Sequence, residues 1–280
     1  MNHKLEKYCS LFLYRYLPLT LLLLFIMVPF YWTLNTSLKL EGDITKMPIE
    51  YWPAPATFDN FIMSWNNVGF SLFFRNSMFI ALSTVLIVLV LSILAGYAIS
   101  RFSFKGKNAF MLLLLCTQFV PGAMLLIPLF MQFNAMQLTG THLGLIITYS
   151  AFQLPFNAIL MSGFIRGIPE ALEEAAEVDG CNRLQAIFHV ILPILIPGLV
   201  ATSVFTFIGA WNEFLFALMF ITKKSLFTLP VGLSYMQGEF DINYGALAAG
   251  SVIALVPVVI LFSYVQKYLV QGLGAGAVKG

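Results

Sequence analysis

Charge is what this chain has least of. Asp, Glu, Lys and Arg make up 10% of its 280 residues, against roughly 25% in an average soluble domain. A soluble chain of this length builds its surface from those residues, so an ordinary soluble enzyme is excluded. The balance of 15 Lys and Arg against 13 Asp and Glu leaves a net charge of +2. No basic surface remains to meet phosphates, and nucleic acid is excluded as a partner. Cysteine is scarce too: Cys9, Cys116 and Cys181 are far apart, odd in number and without a C-x-x-C pair, and read as free thiols. His3, His142 and His189 are equally scattered, so no metal-ligand cluster forms in the sequence. What the chain does have is 59% hydrophobic residues, 27 of them Phe. That excludes disorder and indicates a polytopic membrane protein.

An uncharged stretch of about 20 residues crosses the hydrocarbon core as a helix. The first span is expected over residues 16–38, too long for a signal-peptide core and without a small-x-small cleavage site before Lys39. Residues 39–74 are of another kind, with Glu41, Asp43, Lys46, Glu50 and Asp59 among Pro48, Pro53, Pro55, Tyr51, Trp52 and Trp65. They read as an ordered, proline-bounded loop outside the membrane. A second span follows over 76–100, then a turn carrying Arg101, Lys105 and Lys107. Residues 108–165 hold no Asp, Glu, Lys or Arg and are too long for one helix. The polar break at 132–142 divides them into a third and a fourth span, with Pro121, Pro128 and Pro155 inside. The fifth is expected over 193–215 and the sixth over 242–266.

Six spans put both termini on one side. Lys4, Lys7, Arg15, Arg101, Lys105, Lys107, Arg166, Arg183, Lys267 and Lys279 share that side, against Lys39, Lys46, Arg75, Lys223 and Lys224 on the other. The positive-inside rule makes the first side cytoplasmic.

The scarce acid is unevenly spent. Five of the thirteen acidic residues lie between Glu170 and Asp179, in the loop after the fourth span. Pro169 suits a first helical turn, and the acids behind it suit the positive end of that helix. Gly180 permits a sharp stop, and a second helical piece from about Asn182 leads back to the membrane at Pro193. A short amphipathic helix of this kind fits a groove on a partner. On the residues alone a solvated linker helix fits equally well.

Glu174-Ala175-Ala176, three residues, Gly180, nine residues and Val190-Ile191-Leu192-Pro193 resemble the EAA loop of ABC-transporter permeases. The match in spacing is complete, with Val190 where Ile is usual. The segments IGAWNEFLFAL (208–218) and QKYLVQGLGAGAVKG (266–280) resemble binding-protein-dependent carbohydrate permeases of the maltose and glycerol-phosphate importer type, Gly274 replacing a Thr in the tail. The resemblance implies an all-α, six-span fold of the type I ABC importer kind in a bacterial-type inner membrane. Residues 1–74 would form the cytoplasmic N-terminus, first span and outer loop. Residues 75–266 would be the shared transmembrane core, with the coupling loop at 166–192, and 267–280 a cytoplasmic tail. It further implies a second permease chain, a cytoplasmic ATPase dimer holding ATP and Mg, an extracytoplasmic solute-binding protein, and a sugar-like solute. Glu174, Ala175, Ala176, Asp179 and Gly180 would dock into the ATPase, and no cofactor or covalent chemistry would belong to this chain.

Two other features are weighed against simpler readings. Gly272, Gly274 and Gly276 give G-x-G-x-G before Lys279, but no strand precedes, no helix is expected to follow, and G-x-x-x-x-G-K-[ST] is unmet. ATP is therefore expected on another polypeptide. Gln118, Gln153, Asn157, Asn212 and Glu213 are the polar groups within the spans that could meet a hydroxylated solute. Such groups also hold helices together, and Glu213 beside Trp211 also fits the end of a span at the interface. A self-sufficient channel or ion-coupled transporter is the competing class, and it would need intramembrane carboxylates for its ion.

Overall fold

The computed structural model describes residues 12–236 and 242–277. Its apolar runs are helices throughout, because a helix is the structure that satisfies every backbone group within one segment in hydrocarbon. In chain order they are α1 (Phe12–Ser37), α2 (Phe70–Arg101), α3 (Lys107–Thr117), α4 (Leu126–Ala135), α5 (His142–Arg166), α6 (Ala171–Val178), α7 (Arg183–Ile194), α8 (Ile196–Trp211), α9 (Leu215–Phe220), α10 (Leu229–Tyr235) and α11 (Tyr244–Ala277). Four of these, α1, α2, α5 and α11 over Tyr244–Gln266, are each long and apolar enough to cross a membrane. Two bent pairs, α3 with α4 and α7 with α8, bring the number to six. No β-strand occurs among the described residues.

The bends are where the structure departs from the expected straight spans. Between α3 and the stretch Gly122–Ala135 the chain turns through 88°. Pro121 has no N–H to continue the ladder and sits extended at φ −62°, ψ 124°, where it starts a single 3₁₀ turn. Between α7 and α8 it turns through 78°. Pro197 stands in the first turn of α8, where its missing N–H costs nothing, so the helix restarts there instead of continuing from Pro193. The fifth span therefore begins inside the loop, bends at Leu195 and stops at Trp211, short of the expected residue 215. At the other end of the chain the helix α11 runs through the glycine-rich segment to Ala277, and Lys279 lies outside the described residues.

The chain forms two compact units. One comprises residues 1–70 and 235–255. Its loop is as ordered as its prolines and aromatics implied. The buried Asn60 amide donates to the carbonyls of Ser37 (3.0 Å) and Lys39 (2.7 Å), and the Lys39 ammonium donates to the Glu50 carbonyl and lies over the Trp32 ring. Glu41 accepts from the backbone N–H groups of Tyr244 and Gly245, both at 2.9 Å, at the positive start of α11.

The other unit comprises residues 71–234 and 256–280. Its core beneath the acidic loop is Met161, Ile165, Ile168, Ile191 and Leu195, with Leu89, Ile93, Tyr97 and Phe164 packed around them. Helices in a bilayer gain from close approach, which small residues permit. A Cβ at Gly96 would lie 3.0 Å from Met161, and one at Gly198 would lie 2.8 Å from the Phe164 ring. The contacts fasten α2 and α8 to α5 on either side of the loop.

Candidate functional site

The loop between α5 and α8 folds by rules its sequence carries. Glu170 flanks α6, and Glu173 and Glu174 fill its first turn, where carboxylates meet the positive end of the helix. At its C-terminal end the Cys181 N–H donates to the Ala176 carbonyl (2.9 Å) and the Gly180 N–H to that of Glu177 (3.1 Å). That pair of bonds is a Schellman cap, and it requires the left-handed conformation that Gly180 adopts at φ 91°. Two residues on, Asn182 caps the next helix. Its side chain accepts from the Gln185 N–H (2.9 Å) while the Gln185 side chain accepts from the Asn182 N–H (2.8 Å). The angle between α6 and α7 is thus set by two interlocked caps across a three-residue turn.

The docking candidates divide between two faces. Glu174, Ala175, Asp179 and Gly180 are exposed, whereas Ala176 is buried. Leu172, Ala175 and Val178 stand three residues apart on the outer face, and Val178 is 88% exposed. Within this chain Ala176 therefore serves the packing of α6 against its own unit.

The inner face carries what sequence reasoning missed. Glu173, three residues before Ala176, is buried and accepts from the Tyr97 hydroxyl (2.8 Å) and the Arg101 Nε (2.5 Å). Arg101 also donates to the Ile168 carbonyl (2.9 Å) and lies 3.8 Å from Glu170. The side chains of Arg101 and Glu173 are only 8% and 12% exposed. From the far side of the turn, Arg183 reaches Glu177 at 3.7 Å and stacks over the Phe102 ring at 5.2 Å. The 173/176 spacing placed Glu173 and Ala176 on one face of α6; nothing in the sequence placed that face inward.

The polar span residues form a second group. Gln153 and Glu213, with Tyr149, Phe152, Gly209 and Phe216, line a cavity of about 200 Å³. Gly209 is where a side chain would exclude the Gln153 amide, since its Cβ would fall 2.8 Å from Oε1. Glu213 accepts from the Tyr149 hydroxyl (2.5 Å) and from the N–H groups of Phe216 (2.8 Å) and Ala217 (3.1 Å). It thereby caps α9 and pins it to α5, which is the helix-packing alternative for this acid. Gln118 is exposed at the bend after α3 and, with Thr148, Leu129 and Phe133, lines a larger and mostly apolar cavity of about 420 Å³. Phe152 lines both cavities. Asn157 is buried, donates to the Gln153 carbonyl (2.9 Å), and its Oδ1 has no partner among the described residues. Asn212 is exposed and lines neither cavity. No cluster of three or more His, Cys, Asp or Glu suited to a metal occurs among the described residues.

The chain as a whole is similar to known proteins. The profile of the binding-protein-dependent transport system inner membrane component family matches residues 88–274. The sulfoquinovosyl glycerol transport system permease protein of Agrobacterium fabrum is 36% identical over 95% of this chain and 93% of its own. A diacetylchitobiose uptake system permease protein of Streptomyces coelicolor is also 36% identical, over 90% of this chain and 91% of its own. Among solved structures, a chain of a bacterial ABC transporter involved in import of the acidic polysaccharide alginate superposes with a TM-score of 0.80. The two share 22% identity over 92% of this chain and 97% of that one, a likeness of fold.

Proposed function

This chain belongs to the family of binding-protein-dependent transport system inner membrane components, and from that premise we propose how it works as a permease for sugars or oligosaccharides. The relatives named for a sugar glycerol and an amino-sugar disaccharide support that class of solute. A solute-binding protein delivers the solute to the outer face, and the pathway forms between this chain and a second permease. ATP is hydrolysed on a separate pair of ATPase subunits, whose closure pushes on α6. Both termini, α6 and the turn between α2 and α3 lie in the cytoplasm, following the Lys and Arg count.

The observation that carries the coupling reading is the orientation of α6. Its acidic and small residues Glu174 and Ala175, with Leu172 and Val178, face away from the chain, while Glu173 and Ala176 hold it from within. An exposed apolar row flanked by carboxylates suits a groove lined by apolar side chains and Arg or Lys.

For the solute, the cavity shared by Gln153, Tyr149 and the Phe152–Phe216 ring pair (5.2 Å between centroids) supplies what a sugar needs. It offers aromatic faces for C–H surfaces and an amide for hydroxyls. Gln118 lies at the larger cavity, and Asn157 supports Gln153 from behind. Replacing Gln153 with leucine should raise the KM for uptake by about tenfold, the effect of one lost hydrogen bond of roughly 1.5 kcal/mol. ATP hydrolysis driven by the loaded binding protein should be unchanged. An unaltered KM would remove Gln153 from the pathway.

A further inference from the structure

If α6 is the part that an ATPase grips, the force reaches the spans only through whatever joins α6 to them. The loop that carries it has two covalent ends, at α5 and at α7, and each ends in a turn: Gly167–Pro169 on one side, Gly180–Asn182 on the other. Turns transmit little on their own. The structure supplies a third, non-covalent connection, from the first turn of α6 to the last turns of α2.

We infer that Tyr97, Arg101 and Glu173 are a joint that makes α6 and the C-terminal end of α2 move as one body. The inference rests on the docking reading of α6 above. Glu173 is the hub, with the Tyr97 hydroxyl on one oxygen and the Arg101 guanidinium on the other. Two acceptors and two donors fix the carboxylate in direction as well as position. Arg101 spreads the attachment along the loop, since it also holds the Ile168 carbonyl and approaches Glu170. Its three contacts, at Ile168, Glu170 and Glu173, are spaced two and three residues apart, from the turn after α5 to the first turn of α6. Tyr97 belongs to the apolar cluster with Ile165, Ile168 and Ile191, so the joint is seated in the packed core. Arg183 and Phe102 brace the same junction from the α7 side, and the Tyr97 and Phe102 rings meet edge to face.

The strength of the joint depends on where its ion pair sits. An exposed ion pair contributes little and breaks freely. A nearly buried one is costly to separate, because each charge would be left unpaired in a poor solvent. A pair of that kind stays closed while its two helices are pushed, which is what rigid-body motion requires. Arg101 and Glu173, both about nine-tenths covered, meet that condition.

The test uses the full complex in proteoliposomes: this chain, its partner permease, the ATPase subunits and the binding protein. Glu173→Gln keeps the size and the acceptor oxygen while removing the charge. Tyr97→Phe removes only the hydroxyl, and Arg101→Met removes the guanidinium. Each should assemble and hydrolyse ATP within about twofold of wild type while solute moved per ATP falls by about tenfold, inside the usual range for coupling between sites. A pair of spin labels at Ser103 and Glu177, off the docking face of α6, should show one sharp distance in both nucleotide states of the wild type and a broadened one in Glu173→Gln. Arg101→Lys should recover part of the loss, because an ammonium restores the charge without the forked geometry.

Wild-type transport per ATP in both Glu173→Gln and Tyr97→Phe would overturn the joint. So would labels that stay sharp in Glu173→Gln. If Arg101→Met fails to assemble, the two milder variants decide alone. If instead substitutions at Gly180 and on the outer face of α6 leave coupling intact, the docking reading fails first.

Discussion

Gly180→Val is expected to leave the protein in the membrane and ATP hydrolysis running, with solute uptake reduced by tenfold or more, in the usual range for coupling between sites. Gly180 stands at φ 91°, a region where an ordinary side chain costs roughly 1–2 kcal/mol and a β-branched one is a clear outlier. No atom lies within 4 Å of where its Cβ would be, so crowding contributes nothing and the backbone carries the whole effect. Relief comes by leaving the left-handed region. That breaks the bonds from Gly180 to Glu177 and from Cys181 to Ala176, and it swings α6 relative to the Asn182 cap. The helix proposed to meet the ATPase then points elsewhere. Gly180→Asn is the control, since asparagine tolerates this conformation and should keep most of the uptake. Uptake and hydrolysis measured side by side on purified complex decide it.

Val178→Asp carries the second large expectation, a loss of ATPase from the purified complex. Val178 is more exposed than Leu172, 88% against 41%, and sits at the end of the row that a groove would cover. Burying a valine contributes about 1.5 kcal/mol or more, and an unpaired carboxylate placed in the same groove costs several kcal/mol. Together they weaken docking by at least about a hundredfold, since each 1.4 kcal/mol is a factor of ten. Folding should be unaffected, because the side chain touches solvent in the isolated chain. Glu174→Gln should weaken docking far less, as an exposed charge on the rim does. Co-purification of ATPase with the tagged permease reads both. Wild-type yield with Val178→Asp would mean that this face of α6 is not covered.

Much of the fold was legible because charge and proline mark boundaries in a bilayer protein. The spans follow from where Lys, Arg, Asp and Glu interrupt the apolar runs and, between the third and the fourth, from the uncharged polar break at 132–142. The turn at Gly180 and the helix before it follow from capping chemistry alone. Proline was harder. Pro155 stays inside α5 and Pro121 breaks its span, though both sit in uncharged apolar sequence. Pro121 is followed by Gly122, a residue that leaves a helix readily, whereas Pro155 lies between Leu154 and Phe156. That difference is visible once known, but it is a bias and not a rule.

The site was legible in part. Glu173 beside Ala176, and Glu174 beside Leu172 and Val178, leave both faces of α6 a mixture of apolar and acidic residues, so inside and outside cannot be told apart from the sequence. The answer came from Tyr97 and Arg101, which lie 76 and 72 residues before Glu173. Glu213 poses the same difficulty. The sequence leaves it between the interior of a span and its end, and the partner Tyr149 that pins it to α5 is 64 residues away. Long-range pairs of this sort leave no periodic trace.

Solute is proposed to cross this chain only when a separate ATPase drives it. The direct measurement is uptake of labelled oligosaccharide into proteoliposomes, made two ways. In one, the chain is reconstituted with its partner permease, ATPase and binding protein, with ATP supplied to the ATPase side. In the other, the chain is alone, without ATP, under an imposed proton or sodium gradient. Uptake in the first arm that stops without ATP, with none in the second, is the predicted result. Solute accumulation by the chain alone down an ion gradient would contradict it.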